Sequence, residues 1–278
     1  MNRWEAAHPR VEGFIEELND NNDNIEVMRI QYCSDLHLEF EQNNSFLRSN
    51  QLPLAGDILI LAGDITPLHD ELLTDTFFRF VSDNYEKVFW VPGNHEFYHR
   101  DMIEFNSSFH IELNDKISIV NNVELEYEGI QFIFSTMWSK IGKDNEKIIE
   151  QCVSDFNCIS IKGRNLRAKD VNLYYDGSIR FIQQSLQNRK NRTVVVTHHA
   201  PSLLCNSTGH NSSPINEAFC VDLTNFIEQS GVNFWIYGHT HFNQKPLFIG
   251  KTLMLTNQLG YVHINEHGDF NANAYFSL

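Results

Sequence analysis

Histidine, aspartate and asparagine bind divalent metals through nitrogen and oxygen, and in this chain they gather in five short clusters. The densest is Val91-Pro92-Gly93-Asn94-His95-Glu96-Phe97-Tyr98-His99. It supports two incompatible readings. His95-Glu96-x-x-His99 fits the short zinc-protease pattern, which needs a helix to bring both histidines onto one face. Gly93-Asn94-His95-Glu96 instead fits a tight turn at a strand end, presenting one metal ligand and one acid to a phosphate. Pro92-Gly93-Asn94 disfavours helix up to His95, which weakens the first reading.

The other clusters are Asp35 with His37, Asp64, His198, and His239 with His241. All five follow short apolar runs that read as buried central strands: Met28–Ser34, Ile58–Ala62, Lys87–Val91, Thr193–Thr197 and Asn233–Tyr237. In α/β sheets, ligands bind in the crevice outside the C-terminal strand ends. Strands lying side by side would therefore bring Asp35, His37, Asp64, Asn94, His198, His239 and His241 to one cleft. Asp35/His37 and His239/His241 are i, i+2 pairs, whose members face the same way in extended chain. Glycines before Asp64, Asn94 and His239 let the backbone turn where a Cβ would obstruct.

Between these strands, the spacing predicts helices over Asp70–Tyr85, Asp101–Leu113 and Asp176–Arg189. Another is expected from an N-cap at Asn216 to Ser230. Ile117–Val120 reads as a strand, and Val123–Tyr127 with Ile130–Thr136, then Leu247–Ile249 with Thr252–Thr256, read as hairpins. Residues 139–175 read as irregular and comparatively basic. Strand–helix–strand order followed by hairpins points to an α/β fold, a sandwich of two mixed β-sheets flanked by helices. Residues 1–25 form a polar extension ending in an Asn/Asp run and are expected to be dispensable. Residues 26–278 then form a single domain.

The chain has 278 residues, 42% of them hydrophobic and 12% aromatic, enough to bury a large core. Its formal charge of −15 argues against general binding to nucleic acid or anionic membranes. A small anionic substrate stays possible, because bound metal reverses the local sign. Five cysteines without Cys-x-x-Cys spacing read as reduced thiols of a cytoplasmic protein. No apolar run approaches the roughly 20 residues of a membrane span, and the charged N-terminus is not a secretory signal. Nothing in the sequence sets an oligomeric state.

Taken together, Asp35-x-His37, Gly63-Asp64, Gly93-Asn94-His95-Glu96, Thr197-His198 and Gly238-His239-x-His241 resemble the calcineurin-like metallophosphoesterase family. The five motifs occur in the family's order within residues 28–241. Ser34–Phe40 and His198-His199-Ala200-Pro201 are similar to a group of small bacterial phosphoesterases. The resemblance implies two divalent or trivalent metal ions (Mn, Fe or Zn). Asp35, His37 and His241 would hold one, and Asn94, His198 and His239 the other, with Asp64 bridging. It also implies a small phosphodiester or phosphomonoester substrate. A bridging hydroxide would attack phosphorus in line, with His95 as general acid toward the leaving oxygen.

One departure matters. Protein phosphatases of the family continue Gly-Asp-x-x-Asp-Arg, whereas this chain reads Gly63-Asp64-Ile65-Thr66-Pro67-Leu68, so His95 lacks that orienting partner. Glu96 and His99 are expected to support the site. His199 is the alternative ligand to His198 if the strand ends one residue later. His210 and the basic run Lys162–Lys169 are candidates for substrate contact, and Trp138 for the border of the site. His8, His69, His110, His263 and His267 read as bystanders. A non-catalytic scaffold of the same fold is the second alternative, against which the complete ligand set and His95 argue. Metal content separates the three: two ions for the hydrolase, one zinc for the protease, none for the scaffold.

Overall fold

The structure is a computed structural model that describes residues 27–69 and 72–278. The N-terminal extension and the start of the helix expected at Asp70 lie outside the described residues. In chain order the first strands are β1 (Arg29–Cys33), β2 (Ile58–Ala62), β3 (Lys87–Val91), β4 (Phe109–Glu112) and β5 (Ile117–Asn121). Then come β6 (Val123–Tyr127), β7 (Ile130–Ser135), and a small hairpin of β8 (Ser160–Ile161) and β9 (Arg164–Asn165). The last are β10 (Thr193–Thr197), β11 (Phe234–Tyr237), β12 (Leu247–Ile249), β13 (Thr252–Thr256) and β14 (Tyr275–Ser277).

These build two six-stranded sheets, ordered β14-β1-β2-β3-β5-β4 and β12-β13-β11-β10-β7-β6. In each, four central strands run parallel and both edge strands are antiparallel. The layout is the mixed two-sheet sandwich with outer helices that the sequence predicts. β2 shows why it forms. Ile58, Ile60 and Ala62 pack between the sheets against Phe132, Phe134 and Val196, while Leu59 and Leu61 face the outer layer with Phe78 and Trp90. A parallel strand covered on both faces needs an unbroken apolar run, and Ile-Leu-Ile-Leu-Ala supplies one.

The described outer helices are α1 (Glu41–Ser49), α2 (Thr76–Asn84), α3 (Glu146–Cys152), α4 (Asp155–Cys158), α5 (Ala168–Gln187), α6 (Thr208–Asn211) and α7 (Thr224–Ser230). Three expectations fail. Asp101–Leu113 is one 3₁₀ turn, Met102–Glu104, followed by β4 on the sheet edge. Asn-Ser-Ser at 106–108 breaks the helical pattern, and Asn121 and Asn122 take the Ser107 carbonyl into the sheet's hydrogen bonding. The stretch from Asn216 is a 3₁₀ turn to Ala218, and α7 begins only at Thr224, whose N–H donates to Asp222. Residues 139–175 are not irregular: they hold α3, α4, the β8–β9 hairpin and the start of α5. There Asp170 accepts the Arg167 N–H and pairs with Arg164, fixing a helix start that charge alone disguised.

Among the described residues no helix is long and apolar enough to cross a membrane. The five cysteines are free thiols, with Cys33, Cys205 and Cys220 buried.

Candidate metal centre

The five clusters leave the C-terminal ends of β1, β2, β3, β10 and β11, so both sheets contribute to one end of the sandwich. The turns are sharper than extended chain. Asp35, His37, Asp64, His239 and His241 have φ of 55°, 47°, 55°, 73° and 49°. Each such non-glycine residue costs about 1–2 kcal/mol. The i, i+2 pairs therefore converge through left-handed turns, not through strand alternation. Strain gathered at one site marks it as functional.

Two glycines are required by close approach. A Cβ on Gly63 (φ +92°) would lie 2.2 Å from His198 Nδ1, and one on Gly93 would lie 2.2 Å from Asp64 Oδ1. Between these turns sits Glu96, wholly buried. Its carboxyl accepts from the backbone N–H groups of Asp64 (3.0 Å), Ile65 (2.8 Å) and Gly93 (2.7 Å), and from Trp90 Nε1 (2.9 Å). Burial and neighbouring Asp64 push this carboxyl up to about 8. Four N–H donors aimed at it favour the carboxylate and oppose that rise. Glu96 thus ties the β2 and β3 loops together.

The ligand atoms meet around Asp64. Its Oδ2 lies 3.4 Å from His198 Nε2, 3.9 Å from His37 Nε2 and 4.0 Å from His95 Nε2. On one side His37 Nε2 and His241 Nε2 are 3.0 Å apart, and His241 Nε2 is 3.3 Å from Asp35 Oδ1. On the other, His198 Nε2 is 3.1 Å from both Asn94 Oδ1 and His239 Nδ1. Asp35–His37–His241 and Asp64–His198–His239 each satisfy metal-ligand spacing, as does His37–Asp64–His95.

The outward ring nitrogens have fixed partners. His37 Nδ1 lies 3.2 Å from Glu39 Oε1, His241 Nδ1 2.6 Å from Glu266 Oε2, and His198 Nδ1 2.9 Å from the Ala62 carbonyl. An N–H donated outward leaves the lone pair facing inward, which is how ligating imidazoles are held. Asn94 is set similarly: its Nδ2 donates to Asp155 at 2.8 Å, turning Oδ1 toward His198.

Charge agrees with this arrangement. Burial pulls His198 and His241 down, yet Asp64 raises His198 to about 9, and Asp35 with Glu266 raises His241 to about 10. Burial and the neighbouring His199 and His198 hold His239 well below the usual histidine range. Burial favours neutral Asp64, but His198 and His95 keep it well below the ordinary carboxylate range. Buried carboxylates demand positive charge here, and paired imidazole lone pairs face the same point. The donor set fits metal cations with nitrogen and oxygen preference.

His95 stands apart from the ligand pairs. Its Nδ1–H donates to Glu39 Oε1 at 2.8 Å, its ring stacks on Tyr98 (centroids 4.1 Å, 24°), and Tyr261 Oη lies 3.5 Å from Nε2. Glu39 is the orienting partner absent from Gly63–Leu68. Sequence reading passed over Glu39, Asp155 and Glu266. Only Glu39 carried a signal, two residues after His37 in Asp35-x-His37-x-Glu39.

The remaining candidates join no ligand cluster. His95–Phe97 is a single 3₁₀ turn and His99 is exposed at φ +63°, so no helix joins them as a protease would need. His199 is buried against Trp138 and His239, its Nδ1 turned to the Thr136 carbonyl. Trp138 is core. Lys162–Lys169 does not line the adjoining cavity; Arg164 pairs with Asp170 and Arg167 with Glu150. His210 does line it. His69, His110, His263 and His267 join no ligand cluster, and His8 lies outside the described residues.

Comparison with known proteins agrees with the geometry. The sequence model of calcineurin-like phosphoesterases matches residues 28–243. An uncharacterised protein of Acanthamoeba polyphaga mimivirus is 34% identical over 277 residues, covering 90% of this chain and 97% of that one. The crystal structure of phosphopantetheinyl hydrolase from Mycobacterium tuberculosis is similar in fold, with a TM-score of 0.64 at 15% identity over 90% of this chain and 95% of that one.

His198 and His241, raised to about 9 and 10, favour protons at neutral pH that a metal bound there would have to displace. Metal titration by calorimetry at pH 7 is expected to give binding enthalpies that change with the buffer's ionisation enthalpy, reporting net proton release. Equal enthalpies in buffers of different ionisation enthalpy would contradict the assignment.

Proposed function

The chain belongs to the calcineurin-like phosphoesterase family, and from that premise we propose that it hydrolyses small phosphodiesters or phosphomonoesters at a two-metal centre. The observation that carries this reading is the position of Asp64 between two ligand groups, with His95 on its open side. Asp35, His37 and His241 would hold one ion, and Asn94, His198 and His239 the other, both sharing Asp64. Donors of nitrogen and oxygen without thiolate suit Mn, Fe or Zn. When bound, such ions neutralise phosphoryl charge and make water acidic enough to attack at neutral pH.

The chain's own residues do the rest. Water's oxygen goes to phosphorus, the ester P–O bond breaks, and the alcohol oxygen must gain a proton as it leaves. His95 is placed to give it. Glu39 fixes its Nδ1–H and so commits Nε2 as the donor toward the cavity, while Tyr98 and Tyr261 restrict the ring. Burial lowers the His95 pKa, but Asp64 and Glu39 raise it to about 9, which favours the acid form. Asp155 holds both the Asn94 amide and the Tyr98 hydroxyl (2.8 Å each), linking a ligand to the face that supports the acid.

The direct experiment is turnover of 4-nitrophenyl phosphate and bis(4-nitrophenyl) phosphate by chelated and then metal-reloaded protein. Activity on one of them that depends on reloading, with two ions per chain, is expected. No rate on either with both sites filled would favour a scaffold. His95→Ala is expected to keep both ions and lose roughly 10²–10⁴-fold in kcat; wild-type turnover would remove His95 from the chemistry.

A pH profile tests Glu39. A general acid works protonated, so the alkaline fall in kcat/KM follows the His95 pKa. Glu39→Gln removes a carboxylate that raises it, and the fall is expected to begin at lower pH with metal content retained. An unshifted limb would mean that Glu39 does not orient the acid.

A further inference from the structure

Beside the ligand clusters lies a cavity of about 350 Å3, lined in part by Asp64, Asn94, His95, His239 and His241. The rest of its wall is what the organic part of an ester would meet. Among the described residues lining this cavity there is no lysine and no arginine. Two carboxylates, Asp155 and Glu266, do line it. A second phosphate would bring roughly −1.5 to −2 further charges against that wall. Nothing there replaces the water it would lose, and burying an unpaired charge is strongly unfavourable.

Away from those two carboxylates, the wall offers side-chain amides and an imidazole between apolar faces. Asn206 donates from Nδ2 to Asn216 Oδ1 at 2.8 Å. Its own Oδ1 accepts from Ser207 N at 2.8 Å and lies 3.2 Å from His210 Nδ1. This chain of contacts sets the orientation of both amides and the tautomer of the imidazole. With Nδ1–H given to Asn206, a neutral His210 imidazole has Nε2 as an acceptor; with Oδ1 engaged, Asn216 keeps Nδ2 as a donor. Around them, Phe219 lies against the His239 ring (4.9 Å, 23°), and Ile215 and Val153 add aliphatic surface. A donor and an acceptor set among apolar surfaces complement an amide or a hydroxyl, groups that are themselves both.

We infer that the site selects phosphoesters of uncharged alcohols bearing an amide or hydroxyl group, and rejects esters that carry a second phosphate or carboxylate. This specificity rests on the phosphoesterase reading above and narrows it. It places the discrimination in the Asn206–Asn216–His210 wall and in the absence of lysine and arginine from the lining, not in the metal ligands.

The test uses full-length, metal-loaded protein and two matched esters, N-acetylethanolamine phosphate and ethylene glycol bisphosphate. They are made as 4-nitrophenyl diesters if the chromogenic assay shows diester turnover. The acetamido ester is expected to exceed the bisphosphate in kcat/KM by at least roughly tenfold. Ser213→Lys, which adds an ammonium to the same wall, is expected to narrow that ratio. Equal or better turnover of the bisphosphate by wild type would overturn the inference while leaving the phosphoesterase reading intact. So would a ratio unmoved in folded, metal-loaded Ser213→Lys. Failure of the chromogenic esters would instead overturn the underlying reading.

Discussion

The burial of the Asp64 carboxylate is the constraint on which the rest of the site depends. It is 1% exposed, in a sandwich whose neighbouring strands are almost wholly apolar. Removing a carboxylate from water costs several kcal/mol unless opposite charge and hydrogen bonds replace the solvent. Here the replacement comes from three directions. His198 approaches from β10, His37 from the β1 loop, and His95 from the β3 loop, which also gives its N–H to Asp64 Oδ1 at 2.9 Å. Glu96 meanwhile holds the backbone on which Asp64 turns. The left-handed ligand residues and the glycines with no room for a Cβ follow from the same demand, since this many groups converge on one carboxylate only where the backbone bends sharply at each strand end.

That demand also explains the second ring of carboxylates. Glu39, Asp155 and Glu266 touch His37 and His95, Asn94, and His241 respectively. Each fixes the orientation of a side chain facing the centre. In so acidic a protein, bound metal would supply the positive charge that draws phosphate to the centre without a basic surface.

Much of this was legible in the sequence because ligand positions are coupled to strand ends. Continuous apolar runs locate buried parallel strands, and a residue directly after such a run has few places to go. The unread parts lack that coupling. Asp155 belongs to a four-residue helix inside a segment that read as irregular, and Glu266 comes from the 3₁₀ turns after β13. Neither has a fixed spacing from the residue it holds. The helix expected over Asp101–Leu113 failed for a related reason: pairing with β5 outweighed local spacing, a tertiary effect invisible in a short window. Within Val91–His99, residues that looked equivalent were separated by their surroundings. Asn94 faces His198, His95 faces the cavity, Glu96 is a buried brace, and His99 points to solvent.

Anomalous diffraction from crystals grown with saturating Mn²⁺ addresses the centre most directly. The account predicts two peaks roughly 3.5–4 Å apart on either side of Asp64 Oδ2. One should lie within reach of Asp35, His37 and His241, the other of Asn94, His198 and His239. A single peak away from Asp64, or none at saturating metal, would contradict it.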